Sequence, residues 1–594
     1  MSRICRALRR DFRYSRPPRR AWQALLFGSF VTQQDTDASL VRTRIDGGFS
    51  FALAAFAIGL GLLALLERVG LPDIALKSCV GVLVFSEFLI TAALLRTMRP
   101  GEFYAGTLPP PYAGLAYAGI AAGLFLPFLP PLSEGVGFNS LAAGFVIGLI
   151  GAAFVTGPYL RHCGASSVVD LAASRFPHPL ARVAVALIVA LAAALVTIGG
   201  YGVALRAFLA ATGTSPTLGV AVLGILLVLL IVPGGLSGVI WLAVGTAVVT
   251  LAALGLPLAL SAPHETTPFS VAIARFGEVS GAGQHLPIEP AIVAVLALGL
   301  ATLAPLFGPM LGSRDRASTL RSGFFAFVFV ALIAALAALT MARSSLALDA
   351  ALVGHAPAHL PADILAASER GAISICGLHS DVVSEIAAAC GSEADSNGVL
   401  RLQDVGADAR YLLENLPLLR HSGPTQAGLA TVFAIALGIG VAAAGIQSFA
   451  TSLGHDIFAR KRRRFGPASR RLAYARGLAL LLIAAAAAAL ANGIDDPRLC
   501  IALALMISAT LVAPLVGLTV IQPATSFGAL AALSVAAFVI SIYAFTHHGP
   551  WPPDEVARNA IFAALDAFLA GVFVSLLRRK LPAAGPEAKA PSAD

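Results

Sequence analysis

The sequence alternates between long apolar runs and short polar connections along most of its length. A helix needs about 20 apolar residues to cross the hydrocarbon core of a bilayer, and lipid requires the backbone polar groups of that segment to pair internally. The pattern predicts fourteen membrane-spanning helices. They lie at 49–66, 75–95, 113–132, 138–157, 179–199, 217–233, 237–260, 290–310, 322–341, 426–453, 473–491, 498–519, 525–546 and 557–577.

The composition agrees with an all-α polytopic membrane protein. Apolar residues make up 57% of the 594 residues and charged residues 12%, whereas about a quarter of a soluble domain is charged. This shortfall excludes a water-soluble enzyme, and we predict that the chain is not an enzyme. The sequence contains no Walker-type GxxxxGK[ST] motif, which argues against an ATP-driven pump.

The basic residues indicate how the chain is oriented. The segment 1–48 holds ten Arg and resembles a basic tail more than a cleaved signal peptide. An even number of spans places both termini on one side, and 30 of the 41 Lys and Arg residues fall there, against 11 on the other. The positive-inside rule therefore predicts an inner (plasma) membrane protein with both termini cytoplasmic. The basic run 460–464 is then a loop beside the bilayer, so we expect no nucleic-acid partner.

One sizeable polar segment, 342–424, interrupts the predicted spans. It holds ten acidic and five basic residues, which suits the outer side of the membrane. Cys376 and Cys390 both lie in this segment. A disulfide between them is chemically possible in an oxidising compartment, and two free thiols in a short insert are the alternative.

The third and eighth spans contain prolines in their apolar stretches. Pro127 and Pro130 lie in the third span, and Pro305 and Pro309 in the eighth. Proline removes a backbone donor and clashes with the preceding turn. Two interrupted spans in corresponding halves indicate the broken helices of an inverted-repeat transporter, with simple proline kinks as the alternative.

Five short motifs in register resemble the sodium:solute symporter family, most closely its cation/acetate (monocarboxylate) branch. They are GEFYAG from Gly101 followed by GLAYAG from Gly114, GPYLRHCGASSVVDLAASRF from Gly157, PGGLSG from Pro233, SRDRASTLR from Ser313 and SLGHDIFA from Ser452. The resemblance covers about 100–545. It implies a five-plus-five inverted-repeat core of the LeuT type at 113–519, carrying the insert 342–424. Two additional helices at 49–95 precede this core, two at 525–577 follow it, and 578–594 form a cytoplasmic tail.

The resemblance also implies a binding site near the helix breaks, at the middle of the membrane. We expect a small, acetate-like organic anion to bind there. The candidate substrate-binding residues are Tyr117, Gly119, Gly123, Phe125, Pro305, Phe307, Gln447 and Ser448. Besides this solute, the implied partners are the lipid bilayer and either a small membrane subunit or further copies of the chain.

The expected cation site departs from the family pattern. Ile120 stands where many members have Asp, and Gly440 and Val441 stand where many have hydroxyl side chains. Sodium takes oxygen ligands, so only backbone carbonyls remain, near Ala118, Ala121, Gly440 and Val441. Proton coupling would instead need a titratable group at membrane depth, for which Glu87 and Asp566 are the candidates. Na+, H+ and no coupling stay open, and no organic cofactor is expected.

Three functions fit these patterns. The leading one is secondary active, cation-coupled symport of an acetate-like monocarboxylate by alternating access. The second is a transporter-derived sensor or accessory membrane protein without sodium coupling, which the departures at the cation site favour. The third is a channel or a structural membrane protein, which the paired proline breaks disfavour.

Overall fold

The computed structural model describes most of the chain. The described residues are 30–97, 103, 108–128, 138–261, 269–279, 288–313, 315–369, 372–390, 399–401, 404–407, 412–413, 423–459, 468–494, 496–546 and 553–580. The basic run 460–464 and most of both predicted tails lie outside them. Helix α1 begins at Phe30, inside the predicted tail 1–48.

The first half of the chain forms eight helices. In chain order they are α1 (Phe30–Val69), α2 (Asp73–Leu94), α3 (Pro110–Phe125, then a 3-10 turn at Leu126–Phe128), α4 (Phe138–Ile150, π-helical Gly151–Thr156, then Gly157–Cys163), α5 (Val168–Arg175), α6 (Pro179–Thr212), α7 (Pro216–Ile231) and α8 (Gly235–Ser261).

The middle of the chain holds the sixth and seventh core helices and the insert. These elements are α9 (Phe269–Val279), α10 (Pro290–Thr302, then 3-10 Ala304–Phe307), α11 (Gly308–Leu311), α12 (Arg316–Leu352), a 3-10 turn (Pro357–His359), α13 (Ala362–Glu369), β1 (Ile373–Ile375), α14 (Val383–Cys390) and β2 (Val405–Ala407). The two strands pair antiparallel, with Ile373 opposite Ala407. Cys376 and Cys390 form a disulfide, which confirms the first of the two alternatives for this pair.

The last part completes the core and adds two helices. The elements are α15 (Pro424–Ala450, then π-helical Thr451–Ala459), α16 (Ala468–Ala491), α17 (Pro497–Ile507, π-helical Ser508–Val512, then Ala513–Val520), α18 (Ser526–Thr546) and α19 (Pro553–Lys580). Proline occupies the first turn of several of these helices, including α6, α10 and α15. It is tolerated there because the first amides of a helix have no partner within it.

The structure confirms the predicted fold class but not the count of fourteen spans. Among the described residues, 11 helices are long and apolar enough to cross a membrane, or 12 if the bent pair Pro290–Thr302 and Ala304–Leu311 counts as one span. Helix α7 (Pro216–Ile231) is apolar but shorter, and α3 has 16 residues before its 3-10 turn. Fourteen spans therefore stay a prediction.

Small residues bring equivalent helices of the two halves together in the same way. A Cβ added at Gly119, on the first core helix, would collide with the Ala243 carbonyl oxygen of the fifth. A Cβ added at Gly299, on the sixth core helix, would lie 2.5 Å from the Leu505 carbonyl oxygen of the tenth. Backbones approach this closely only where a side chain is missing, as is common in membrane helix packing. The matching pair of contacts is what an inverted repeat produces.

Candidate functional site

Helix α10 breaks in the middle of its span. It ends at Thr302, and Leu303 has an extended backbone with φ −69° and ψ 112° before the 3-10 turn begins at Ala304. The two sides of the break are bent by 51°. Pro305 explains this break, because proline has no amide to donate and its ring would clash with the carbonyl four residues earlier in a continuous helix. The break predicted for the eighth span is therefore confirmed.

A cavity lies beside this break, between it and the connection from α4 to α5. It encloses about 580 Å³ of empty space, including the space at its open side. Six parts of the fold line it: the middle of α3, the start of α5, α6, the start of α8, the break itself and the end of α15. The residues that line the cavity include Ile120, Ser167, Pro305, Phe307, Gln447 and Ser448.

Four of the eight predicted substrate-binding residues line the cavity, and the other four do not. Pro305, Phe307, Gln447 and Ser448 are in its wall. The remaining four lie on α3 and pack against other helices. The Tyr117 hydroxyl donates to the Leu149 carbonyl at 2.9 Å, Gly119 contacts α8, Gly123 contacts α15, and the Phe125 ring lies 4.9 Å from that of Phe145.

The carbonyls of Ala118 and Ala121, expected as sodium ligands beside the helix break, do not lie at a break. Both residues lie inside the uninterrupted helix α3, whose C-cap is Leu126, with its amide bonded to the Ala122 carbonyl. Their carbonyls therefore sit in a continuous helix rather than at a break. The interruption comes later, in the 3-10 turn that contains Pro127. The second proline, Pro130, lies outside the described residues.

The other two predicted sodium ligands lie in tight apolar packing. Gly440 faces Thr246 of α8, whose hydroxyl oxygen would be 3.0 Å from an added Cβ. The Val441 side chain is fully buried and fills the space against Gly123 of α3. Neither residue lines the cavity beside the break. Val441 packs closely against α3 at this crossing, and the sodium site stays a prediction.

Gln447 is a buried polar residue of the predicted set, with 4% of it exposed. Its Nε2 donates to the Phe103 carbonyl at 3.1 Å. Its Oε1 is buried and has no hydrogen-bond partner among the described residues. Because a carbonyl can only accept, the bond to Phe103 fixes which end of the amide is nitrogen. Gln447, a residue of the cavity wall, therefore carries one unpaired acceptor, which is covered by neighbouring atoms.

The hydroxyl groups at the end of α15 are bonded to its own backbone. Thr451 Oγ1 donates to the Gln447 carbonyl and Ser452 Oγ to the Ser448 carbonyl, both at 2.8 Å. These bonds accompany the change from α-helix to π-helix at Thr451, and π-helical turns are frequent at functional sites.

A buried polar network joins the start of α5 to the end of α15 at the cavity. Ser167 Oγ donates to Asp456 Oδ2 at 2.6 Å and accepts from the Asp170 amide at 2.9 Å. His455 Nδ1 lies 2.9 Å from Asp456 Oδ1, and Asp456 is 1% exposed. Ser167 and Asp170 have the spacing of a capping box. This spacing was visible in the sequence, but its link to Asp456, 289 positions away, was not.

The two proton-coupling candidates lie away from the cavity. Glu87 is on α2, which is outside the ten core helices, and its Oε1 is buried without a hydrogen-bond partner among the described residues. Asp566 is exposed on α19, the last helix. Neither residue lines the cavity beside the break. The structure does not bring these candidates to the site.

Comparison with known proteins supports the fold. A Na+-coupled sialic acid symporter, in a substrate-bound outward-open state, matches with a TM-score of 0.62 and 14% identity over 84% of this chain and 97% of that one. A nucleobase-cation-symport-1 family transporter in a closed conformation has a TM-score of 0.45 and 15% identity over 82% of this chain and 97% of that one. A manganese transporter from Eremococcus coleocola has a TM-score of 0.37 and 13% identity over 83% of this chain and 96% of that one. No protein-family model and no curated protein sequence matches this chain. The first of these similarities shows that the chain has a LeuT-type transporter fold.

Proposed function

We propose that this protein is a secondary active transporter that carries a small organic solute across the membrane by alternating access. The observation that carries the proposal is the cavity beside the α10 break, in a fold that the chain shares with a solute symporter. Discontinuous helices at the middle of the membrane are where such carriers place their substrates. If both termini are cytoplasmic, as the basic residues predict, the cavity lies on the cytoplasmic side of the break.

The solute and the coupling ion are the finer parts of this proposal. The sequence resemblance implies an acetate-like monocarboxylate driven by Na+ or H+. The cavity lies next to the predicted binding residues Pro305, Phe307, Gln447 and Ser448, which supports solute binding there. The close packing of Val441 against Gly123 does not support a sodium site at these residues.

That close packing also favours a second function, a transporter-derived sensor or accessory protein. Such a protein would keep the solute cavity while losing the cation site, because it needs solute binding but no coupled transport. Binding without uptake would then be the expected behaviour.

The deciding experiment is solute uptake into proteoliposomes. The purified protein is reconstituted, and labelled acetate, pyruvate, propionate and proline are offered under an inward Na+ gradient or an inward proton gradient. Empty liposomes serve as the control. Saturable uptake that depends on one gradient supports the carrier and identifies its ion. Binding of a solute without uptake under either gradient would overturn the carrier in favour of the sensor.

A further inference from the structure

The hydrogen-bonding groups of the cavity wall are mostly acceptors. The hydroxyl protons of Thr451 and Ser452 are used on backbone carbonyls of α15. Those of Ser166 and Ser167 are used on the carboxyl groups of Asp170 and Asp456. These four hydroxyl groups can still accept hydrogen bonds but have no proton left to donate. Among the hydroxyl groups of the described wall, only that of Ser448 has no hydrogen-bond partner within the described residues.

Gln447 also favours a ligand that donates hydrogen bonds. Its nitrogen is held by the Phe103 carbonyl, and its oxygen is buried without a partner. An unpaired buried acceptor is costly, so a ligand that displaces the atoms covering Oε1 and donates a hydrogen bond to it supplies the missing partner. A ligand that offers only acceptors gains nothing from this oxygen.

The wall provides little to hold a carboxylate. No Lys or Arg is among the lining residues of the described cavity. The start of α5 is already capped, because Ser167 Oγ accepts from the Asp170 amide and Asp170 Oδ2 accepts from the Ser166 amide. The start of helix α11 also offers little to a carboxylate, because this helix has only four residues and one of them, Pro309, has no amide proton. The buried carboxyl group of Asp456 behind Ser167 further disfavours an anion.

We propose that the cavity binds small neutral or cationic solutes whose polar end donates hydrogen bonds, such as primary amides, ureas and amines, and that Gln447 Oε1 accepts one of these bonds. The use of the cavity for transport rests on the proposed carrier function, whereas the binding preference does not. Such solutes complement the hydrogen-bonding groups of the described wall better than an acetate-like anion does.

Three ligands of nearly equal shape test the preference without any mutation. Acetamide carries N–H donors, acetate carries only acceptors and a negative charge, and acetone carries only a neutral acceptor. Their binding to the purified wild-type protein is compared by saturation-transfer NMR, which detects weak ligands. We expect acetamide to bind at least about tenfold more tightly than either of the others, the size of effect expected for one buried acceptor that gains a partner. Acetate or acetone binding as tightly as acetamide, or no binding of acetamide, overturns the inference.

A matched pair of variants then assigns the preference to one side chain. Gln447→Met keeps the length of the side chain but removes its acceptor, and it should reduce acetamide binding about tenfold. Gln426→Met makes the same change on the same helix, about 30 Å away along its axis, and should leave binding unchanged. Thermal unfolding of both variants confirms that they fold. Equal acetamide binding by wild type and Gln447→Met overturns the role of Oε1.

Uptake separates this inference from the proposed function. The same two labelled ligands, acetamide and acetate, are offered to proteoliposomes with empty liposomes as control. Acetamide binding that depends on Gln447 but gives no uptake would contradict the carrier and leave the binding site intact. Saturable acetate uptake that is unchanged in Gln447→Met would support the carrier and contradict the binding site proposed here.

Discussion

The first and sixth core helices, α3 and α10, occupy equivalent places in the two halves of the fold but behave differently. Gly119 of α3 packs on α8 as Gly299 of α10 packs on α17. Six residues after Gly299 comes Pro305, where α10 is broken and borders the cavity. Six residues after Gly119 comes Phe125, and α3 is helical up to this residue.

The sequence resemblance places solute binding and cation binding close to both helix breaks. The two helices differ, however, in what surrounds them. The broken part of α10 borders the cavity, whose wall is completed by helices of both halves. The continuous helix α3 packs closely through Gly123 against Val441 of α15, where the resemblance implies a sodium site. The position of the proline therefore decides which of the two equivalent helices is broken beside the cavity.

The contacts shared by α3 and α10 should produce the largest effects. Gly119→Ala and Gly299→Ala each place a methyl group against a backbone carbonyl oxygen, and overpacking of this kind costs about 1–3 kcal/mol. We expect both variants to unfold at clearly lower temperature in detergent. Gly255→Ala is the matched control, because nothing lies within 4 Å of its added Cβ. A stable Gly119→Ala beside an unstable Gly299→Ala would contradict the equivalence of the two contacts.

The proline that distinguishes the two helices should affect solute uptake. Pro305→Ala restores an amide donor and removes a constraint worth about 3 kcal/mol in a helix, so α10 gains a tendency to continue through the break. We expect solute uptake or binding to fall at least about tenfold while the protein stays folded. Pro127→Ala, in the 3-10 turn after α3, is the control and should change uptake little. Equal effects of the two substitutions would show that the α10 break has no special role.

The network at the cavity should give the smallest effect. Ser167→Ala removes the N-cap of α5 and one donor to the buried carboxyl group of Asp456. The free energy of unfolding should fall by about 1–2 kcal/mol. Ser167→Thr keeps the hydroxyl and should restore most of this loss, as measured by chemical denaturation in detergent. If the Thr variant were as unstable as the Ala variant, the hydrogen bonds would not be the cause.

The membrane helices and the break in α10 were predictable from the sequence because they follow from hydropathy and proline placement, whereas the five-plus-five arrangement was implied by the family resemblance. Apolar runs of suitable length give the helices, and Pro305 correctly marks the break in α10. Cys376 and Cys390 were also correctly identified as a possible disulfide. These features depend on local chemistry, which one sequence displays directly.

The site itself was predicted only in part because it depends on which residues meet across the fold. Pro305, Phe307, Gln447 and Ser448 line the cavity, whereas Tyr117 and Phe125 pack against other helices. No local pattern shows that Val441 fills the space against Gly123. The link between Ser167 and Asp456 also joins distant segments, so only its capping half could be read from spacing.

Thiol labelling gives the most direct test of the contrast between the cavity beside α10 and the close packing of α3 on α15. Ser448 and Val441 lie on α15 seven positions apart, on nearly the same face, but Ser448 borders the cavity and Val441 is fully buried against α3. Each is changed to Cys in a protein whose Cys5, Cys79, Cys163 and Cys500 are replaced by Ala. A membrane-impermeant maleimide is then added to vesicles of either orientation. The account predicts that Ser448→Cys reacts from one side and that Val441→Cys stays unmodified; comparable labelling of both, or none at Ser448→Cys, would contradict it.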